Sequence, residues 1–391
     1  VKRLLLLALG LLGAGLLLAA PAFAHATLVG SDPVDGSRLH AAPHVVTLTF
    51  DEPVGVDGVG YLHVTDDHGQ SVDAGPAFHP NGDGTQVADR LRPHLRDGTY
   101  TASYRVISAD SHPVAGVIRF VVGNGPLLTA SSGGSTDATN PAVSAVFDAA
   151  RWVSYLGVAL LGGAWLLLTV WPSGRVDPRA RRLVWTGWTA SAVGAVAELL
   201  LQGPYSAGTG LTTIVRPSLL DDTLHGAYGE LHCVRLVLLG VLALVLTGAL
   251  QDATDRPHRE AALLLGVGVA LTFSAAGHAE TTSPSWISVP LDMLHLLAMA
   301  AWLGGLVMLL VAILPRRDPD ELSAVLPVYS NVAFGSVVVL AGTGLWAAWH
   351  GIGTTSAVFT TTYGLLVLGK IALFLGLLAL GNLSRRVVQR N

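Results

Sequence analysis

The sequence predicts two fold classes in one chain: an all-β domain outside the membrane, then an all-α polytopic membrane domain of about seven helices. Three observations carry this. Of 391 residues, 51% are hydrophobic and 13% charged, where a soluble domain carries about 25% charged residues. Residues 25–123 hold short β-branched runs separated by turn pairs. Residues 143–391 hold apolar stretches of the roughly 20 residues that a bilayer crossing needs. The formal net charge of −4 argues against nucleic acid as a partner. The single cysteine, Cys233, leaves neither a disulfide nor a thiolate zinc site.

In chain order, residues 1–24 read as a secretory signal: basic Lys2 and Arg3, an apolar run, and Ala22-x-Ala24 as the cleavage site. Residues 25–123 form the β domain. Its clearest strands are Val45–Phe50, Thr99–Ile107 and Val117–Val122, set apart by Asp35-Gly36, His68-Gly69, Asn81-Gly82-Asp83-Gly84 and Asp97-Gly98. About 100 residues of this kind favour a small antiparallel sandwich or barrel. Residues 124–142, rich in Gly, Ser, Thr and Asn, read as a flexible tether. The expected spans are 147–171, 182–202, 232–250, 260–277, 287–313, 325–349 and 363–383. Arginines gather after the first, third, fifth and seventh: Arg175 to Arg182, Arg256 and Arg259, Arg316 and Arg317, and Arg385 to Arg390. The positive-inside rule then places the β domain outside and the carboxyl terminus in the cytoplasm of a cell-membrane protein whose solvent is the lipid bilayer. Trp152, Trp171, Trp185, Trp286 and Trp349 near span ends read as interfacial anchors.

Cleavage after Ala24 makes His25 the first residue, with a free α-amine and an imidazole Nδ1 that chelate together. Such nitrogens suit Cu(II) among the common divalent ions. Asp110-Ser111-His112-Pro113 follows the strand ending at Ile107, and Asp110 and His112, two apart, could face one side of the sheet. An Asp-x-His of this kind is by itself more often a solvated turn. The set amine, His25, Asp110 and His112 gives three nitrogens and one oxygen.

The run His25-Ala26-Thr27-Leu28-Val29-Gly30-Ser31-Asp32-Pro33, the element Leu48-Thr49-Phe50-Asp51-Glu52-Pro53-Val54 and the closing Tyr104–Gly116 stretch with Asp110-Ser111-His112-Pro113 resemble the CopC family of periplasmic copper-binding proteins. That resemblance implies a Greek-key, immunoglobulin-like barrel. It also implies a Cu(II) site built from His25, Asp110 and His112. Residues 25–142 contain no Met and no Cys, so the thioether Cu(I) site of some relatives is not expected.

Ionisable residues inside a span are functional candidates. Asp292, His295, Met299 and Trp302 share one stripe of the fifth expected helix at spacings of three, four and three. His278 ends the fourth helix, and Glu198 lies near the outer end of the second. These residues are the expected metal route. Lys370 either pairs a buried carboxylate or snorkels. Gly277-His278-Ala279, the Asp292–Leu306 stretch with Trp302-x-Gly304-Gly305, and Thr362-Tyr363-Gly364 with Lys370 resemble CopD, the inner-membrane copper protein family.

A CopC–CopD fusion implies copper ions as cargo, with other copper-handling proteins as partners. The expected function is capture of Cu(II) outside and its passage inward. No complete Gly-x-x-x-x-Gly-Lys-Ser/Thr phosphate cradle is present, since Gly364 to Lys370 has the spacing but Ile371 follows, so nucleotide drive is not expected. The alternatives are a copper-sequestering or sensing protein without transport, and a histidine-brace oxygenase. An enzyme is not expected, because Asp110 would fill the copper position that an oxygenase leaves open.

Overall fold

A computed structural model describes residues 26–56, 60–108, 113–125, 139–251, 256–277 and 284–352, with parts of 357–379. The leader 1–24, His25, Asp110, His112, most of the tether, His278 and about half of the seventh expected span lie outside the described residues.

The first part is β-structure. Strands β1 (Leu28–Asp32), β3 (Val45–Phe50) and β6 (Gln86–Arg90) form one sheet in the order β1-β3-β6. The other sheet runs β2 (Arg38–Leu39), β8 (Pro113–Val122), β7 (Gly98–Ser108), β4 (Val54–Gly55), with β5 (Tyr61–Thr65) also on β7. Pairing is antiparallel except for β2 on β8. Alternation decides the inner face: Val46, Leu48 and Phe50 are buried while Val45, Thr47 and Thr49 are half-buried. Tyr100, Ala102, Tyr104 and Val106 of β7 meet Ile118, Phe120 and Val122 of β8 in the same core. Phe50 meets Tyr104 edge-on at 5.7 Å, and Tyr100 stacks on Phe120 at 5.5 Å. Tyr104 also explains Gly116, its register partner, since a Cβ there would strike the phenol ring.

Strand β6 carries an oddity, Asp89, whose exposure is 0%. Its oxygens find no donor of ordinary geometry among the described residues. Burial, followed by a hydrogen bond to Asp73 and that carboxylate's charge, pushes Asp89 up to about 7. Burial would also raise Asp73, but the Val64 N–H at 2.7 Å, the Asp89 acid, His63 and Ser71 outweigh it and hold Asp73 low. The pair thus shares one proton. Between the ordinary carboxylate range and about pH 7, the folded chain keeps a proton on Asp89 that the unfolded chain has lost. Stability therefore falls as pH rises across that window. Asp73, held low, contributes the opposite slope only in acid. Asp89→Asn supplies a permanent donor to Asp73. Thermal unfolding of the full chain at about pH 5 and about pH 8 should show a flatter profile for the variant, with its gain at the higher pH. An equal slope in both proteins would exclude the shared proton.

The second part is helical: α1 (Pro141–Gly162), α2 (Ala164–Thr169), α3 (Pro178–Ala207), α4 (Pro217–Leu224), α5 (Ala227–Gln251), α6 (Arg256–Ala275), α7 (Ser285–Met308) and α8 (Pro319–Ile352). A short helical turn, α9 (Ala357–Thr360), follows. Start signals are local. Asn140 caps α1 by accepting from Ala142 N and Val143 N, and Asp177 caps α3 through Arg179 N and Ala180 N, each with Pro at the first position.

Among the described residues, five helical stretches are long and apolar enough to cross a membrane: Pro141–Thr169, Pro178–Ala207, Ala227–Gln251, Ser285–Arg316 and Pro319–Trp349. Helix α6 has 20 residues but opens on Arg256, His258, Arg259 and Glu260, and its apolarity falls short. It packs between α5 and α7. Val237, Leu244, Leu264 and Phe334 remain exposed, as expected where lipid is the solvent.

Two expectations change. Trp171 is no interfacial anchor: it is 2% exposed, with Gly174 against its ring face. Arg175 is not a loop charge but is buried, donating to the carbonyls of Leu167, Leu168 and Ala249. It satisfies helix-end acceptors that would otherwise lack partners.

Candidate metal centre

The described flanks of three motifs singled out in the sequence lie near one another. Thr27, two residues after His25, donates its N–H to Asp51 Oδ1 at 2.6 Å, and Asp51 N returns a bond to Thr27 O at 3.1 Å. Three residues on, Val54 pairs with Ser108, the last residue of β7 before the Asp110–His112 segment. Beyond that segment Pro113 pairs back onto Ile107. The neighbours of His25, of Glu52 and of Asp110–His112 thus occupy one end of the sandwich. The sheet does this, because β4 must lie beside β7 to cover Val54 and Val106 in the core.

Among the described residues, one group of three or more His, Cys, Asp or Glu has metal-ligand spacing: Asp66, Asp67 and His68. It sits in the turn after β5, largely exposed, with Asp66 Oδ1 accepting from the backbone of His68 and Gln70. That is ordinary turn chemistry.

The outer face of β7 meets the helices. Arg105 Nη1 donates to the carbonyl of Ser206, at the end of α3, at 2.8 Å. From there Ser206, Gln202 and Glu198 run down α3 at four-residue spacing, all buried. Gln202 Nε2 donates to Ser206 Oγ at 2.8 Å.

Glu198 is 4% exposed, and His232 and Arg235 of α5 are each 1% exposed. His232 Nε2 lies 3.3 Å from Glu198 Oε2 and 3.1 Å from Arg235 Nη1. Arg235 also donates to Thr272 Oγ1 at 3.1 Å and Thr272 O at 2.9 Å, and lies over the Phe273 ring at 3.6 Å. Tyr228 OH donates to Glu198 Oε2 at 3.4 Å.

The expected metal route is therefore divided. Glu198 belongs to the α3–α5 cluster. Asp292, His295, Met299 and Trp302 belong to α7. There Asp292 is exposed, and Met299 and Trp302 pack against the bundle core. His295 Nδ1 is 2.8 Å from Thr343 Oγ1, whose own hydrogen goes to Val339 O at 2.7 Å. Nδ1 therefore carries the imidazole hydrogen and the lone pair is on Nε2. The His232–Arg235 partnership with Glu198 escaped sequence reading. The available signal was the cost of an arginine about two turns inside an apolar helix.

Gly304 and Gly305 of the α7 motif serve packing. A Cβ on Gly304 would meet the Ala159 carbonyl and Gly163 N of the α1–α2 junction, and one on Gly305 would meet the Tyr329 ring.

A β-sandwich in which the flanks of the three motifs share one end, joined to membrane-length helices with a buried polar cluster, defines a membrane protein with a β domain on a helical bundle. Three family models match: the CopC domain over residues 28–123, the Copper resistance protein D-like N-terminal domain over 139–287, and Copper resistance protein D over 323–391. The chain belongs to the CopC–CopD copper resistance family, carrying both kinds of domain in one polypeptide.

Copper transport protein CutJ of Bacillus subtilis (strain 168), itself a fusion of this kind, is 28% identical over 368 residues, 92% of this chain and 67% of that one. Copper resistance protein C of Pseudomonas syringae pv. tomato is 34% identical over 116 residues, 29% of this chain and 91% of that one. Among solved structures, CopC from Methylosinus trichosporium OB3b has 28% identity and a TM-score of 0.23, covering 25% of this chain and 93% of that chain. The family's members are copper-binding or transport proteins, not enzymes.

Proposed function

We propose that the β domain captures Cu(II) outside the membrane through the His25 amine and imidazole, Asp110 and His112, and that the helical domain takes copper inward. The observation that carries this is the contact of Arg105 with Ser206. It seats the strand leading into the Asp110–His112 motif on the outer end of α3. Capture and passage thereby become neighbouring events in one chain.

In this reading the seven-span topology holds, with the amino-terminal domain outside and the carboxyl terminus in the cytoplasm. Copper is cargo, held by nitrogen and oxygen donors in the β domain and met by His278 and His295 at the helices. His295, with its Nδ1 hydrogen committed to Thr343 and its lone pair on Nε2, has the form of a preoriented ligand.

Copper uptake by cells carrying His295→Ala or His278→Ala tests the passage. Uptake is expected to drop about tenfold or more, the scale on which loss of even an outer-shell partner acts at metal sites. Wild-type rates in both variants would end the route. Uptake that does not depend on the protein at all would instead favour sequestration or sensing.

A further inference from the structure

We propose that Glu198 Oε2 and His232 Nε2 form a weak transit site for Cu(II) inside the bundle, with Arg235 as the resident cation that an incoming ion displaces. This rests on the transport reading and names the place and chemistry of one step within it.

The tautomer comes first. His232 Nδ1 lies 2.9 Å from the Tyr228 carbonyl, which can only accept, so the ring hydrogen is on Nδ1. A histidine tied to a backbone carbonyl in this way presents its lone pair on Nε2, which is how metal-ligating histidines are oriented. That lone pair and the Glu198 carboxylate, both acceptors, face each other at 3.3 Å. A proton held between the two groups or a cation beside them reconciles such a contact, and Arg235 is such a cation, with Nη1 3.1 Å from Nε2 and 4.0 Å from Oε2.

Arg235 can let go. Without His232 it retains both Thr272 acceptors and the Phe273 ring. Further oxygens lie close by. Ser154 of α1 packs against Gly194, one turn from Glu198, and its hydroxyl is a hydrogen-bond partner of the Glu198 carboxylate. Imidazole and carboxylate donors favour Cu(II) over Cu(I), which prefers sulfur. Two protein ligands and a competing guanidinium make the site weak, and passage requires binding weak enough to release. Glu198 stands eight residues below Ser206 on α3, ~12 Å along the helix from the β-domain contact.

The test uses the full chain in detergent with His112→Ala, made in a chain that also carries His25→Ala so that the outer site keeps no imidazole, titrated with Cu(II) and followed by electron paramagnetic resonance. The expected result is one weakly bound equivalent with a single-imidazole signature. Adding Glu198→Gln or His232→Asn should abolish it, and adding Arg235→Met should tighten it about tenfold by removing the competing charge. Equal copper binding with and without Glu198→Gln overturns the proposal. So does the absence of a single-imidazole signal in the doubly substituted chain, whose cluster is intact, which covers the case of a cluster variant that fails to fold. A tight equivalent persisting in the doubly substituted chain would instead count against the outer site. The Glu198-dependent equivalent still decides the inner one.

Discussion

One alanine placed ahead of His25 should lower the Cu(II) affinity of the processed chain by about a hundredfold or more. The extension turns the α-amine of His25 into an amide nitrogen, which is not basic and no longer forms a chelate with the ring. Loss of an outer-shell partner costs 10–100-fold at metal sites, so losing a direct donor should cost at least the upper figure. Competition against a chromophoric Cu(II) chelator measures this on the full chain. His112→Ala should fall in the same range. Both losses should shrink toward acid pH, because the amine and imidazoles must be deprotonated to bind. An unchanged affinity in the extended chain would refute amine ligation. It would leave Asp110 and His112 as the residues to pursue.

Gly304→Val should have the largest effect on the membrane domain. Gly304 of α7 lies against the Ala159 carbonyl and Gly163 N, and reciprocally Gly162 lies against the carbonyl of Ala300. In lipid, helices associate largely through such close backbone approaches, since apolar side chains gain little by leaving an apolar solvent. A valine there would drive α7 away from α1. Overpacking costs typically about 1–3 kcal/mol, and here the clash is with backbone that cannot rotate aside. The expected result is a marked fall in the thermal midpoint and yield of folded chain in detergent. Gly266→Val, at a position with open space around its Cα, serves as the control. Equal stability of the two variants would mean that the α1–α7 approach is not what holds the bundle.

Much of the β domain was legible in residue alternation. Val45–Phe50 is the strand expected, and β7 and β8 contain the other two runs. Strands β1, β5 and β6 were not picked out. Leu28–Asp32 and Gln86–Arg90 mix polar residues and Gly into their runs, and β6 even buries Asp89. Such strands exist because neighbours satisfy their backbone and Asp73 shares a proton. Neither condition is local.

Five of the expected apolar spans were legible too among the described residues, since bilayer thickness acts on segments directly. Trp171 and Arg175 were misread for a related reason. Near a span end, an aromatic or a cation looks the same whether it faces headgroups or closes a helix junction, and only packing separates the two.

By itself, the sequence determined the two-part architecture and the cost of placing Glu198 and Arg235 in apolar helices. These follow from composition, period and residue chemistry, which are properties of single segments. Tertiary structure decided which segments meet. It divided the expected metal route between α3–α5 and α7, set Glu198 against His232 and Arg235, and seated β7 on Ser206. The reason is distance along the chain: residues 37 apart, such as Glu198 and Arg235, become neighbours only when helix packing brings their faces together.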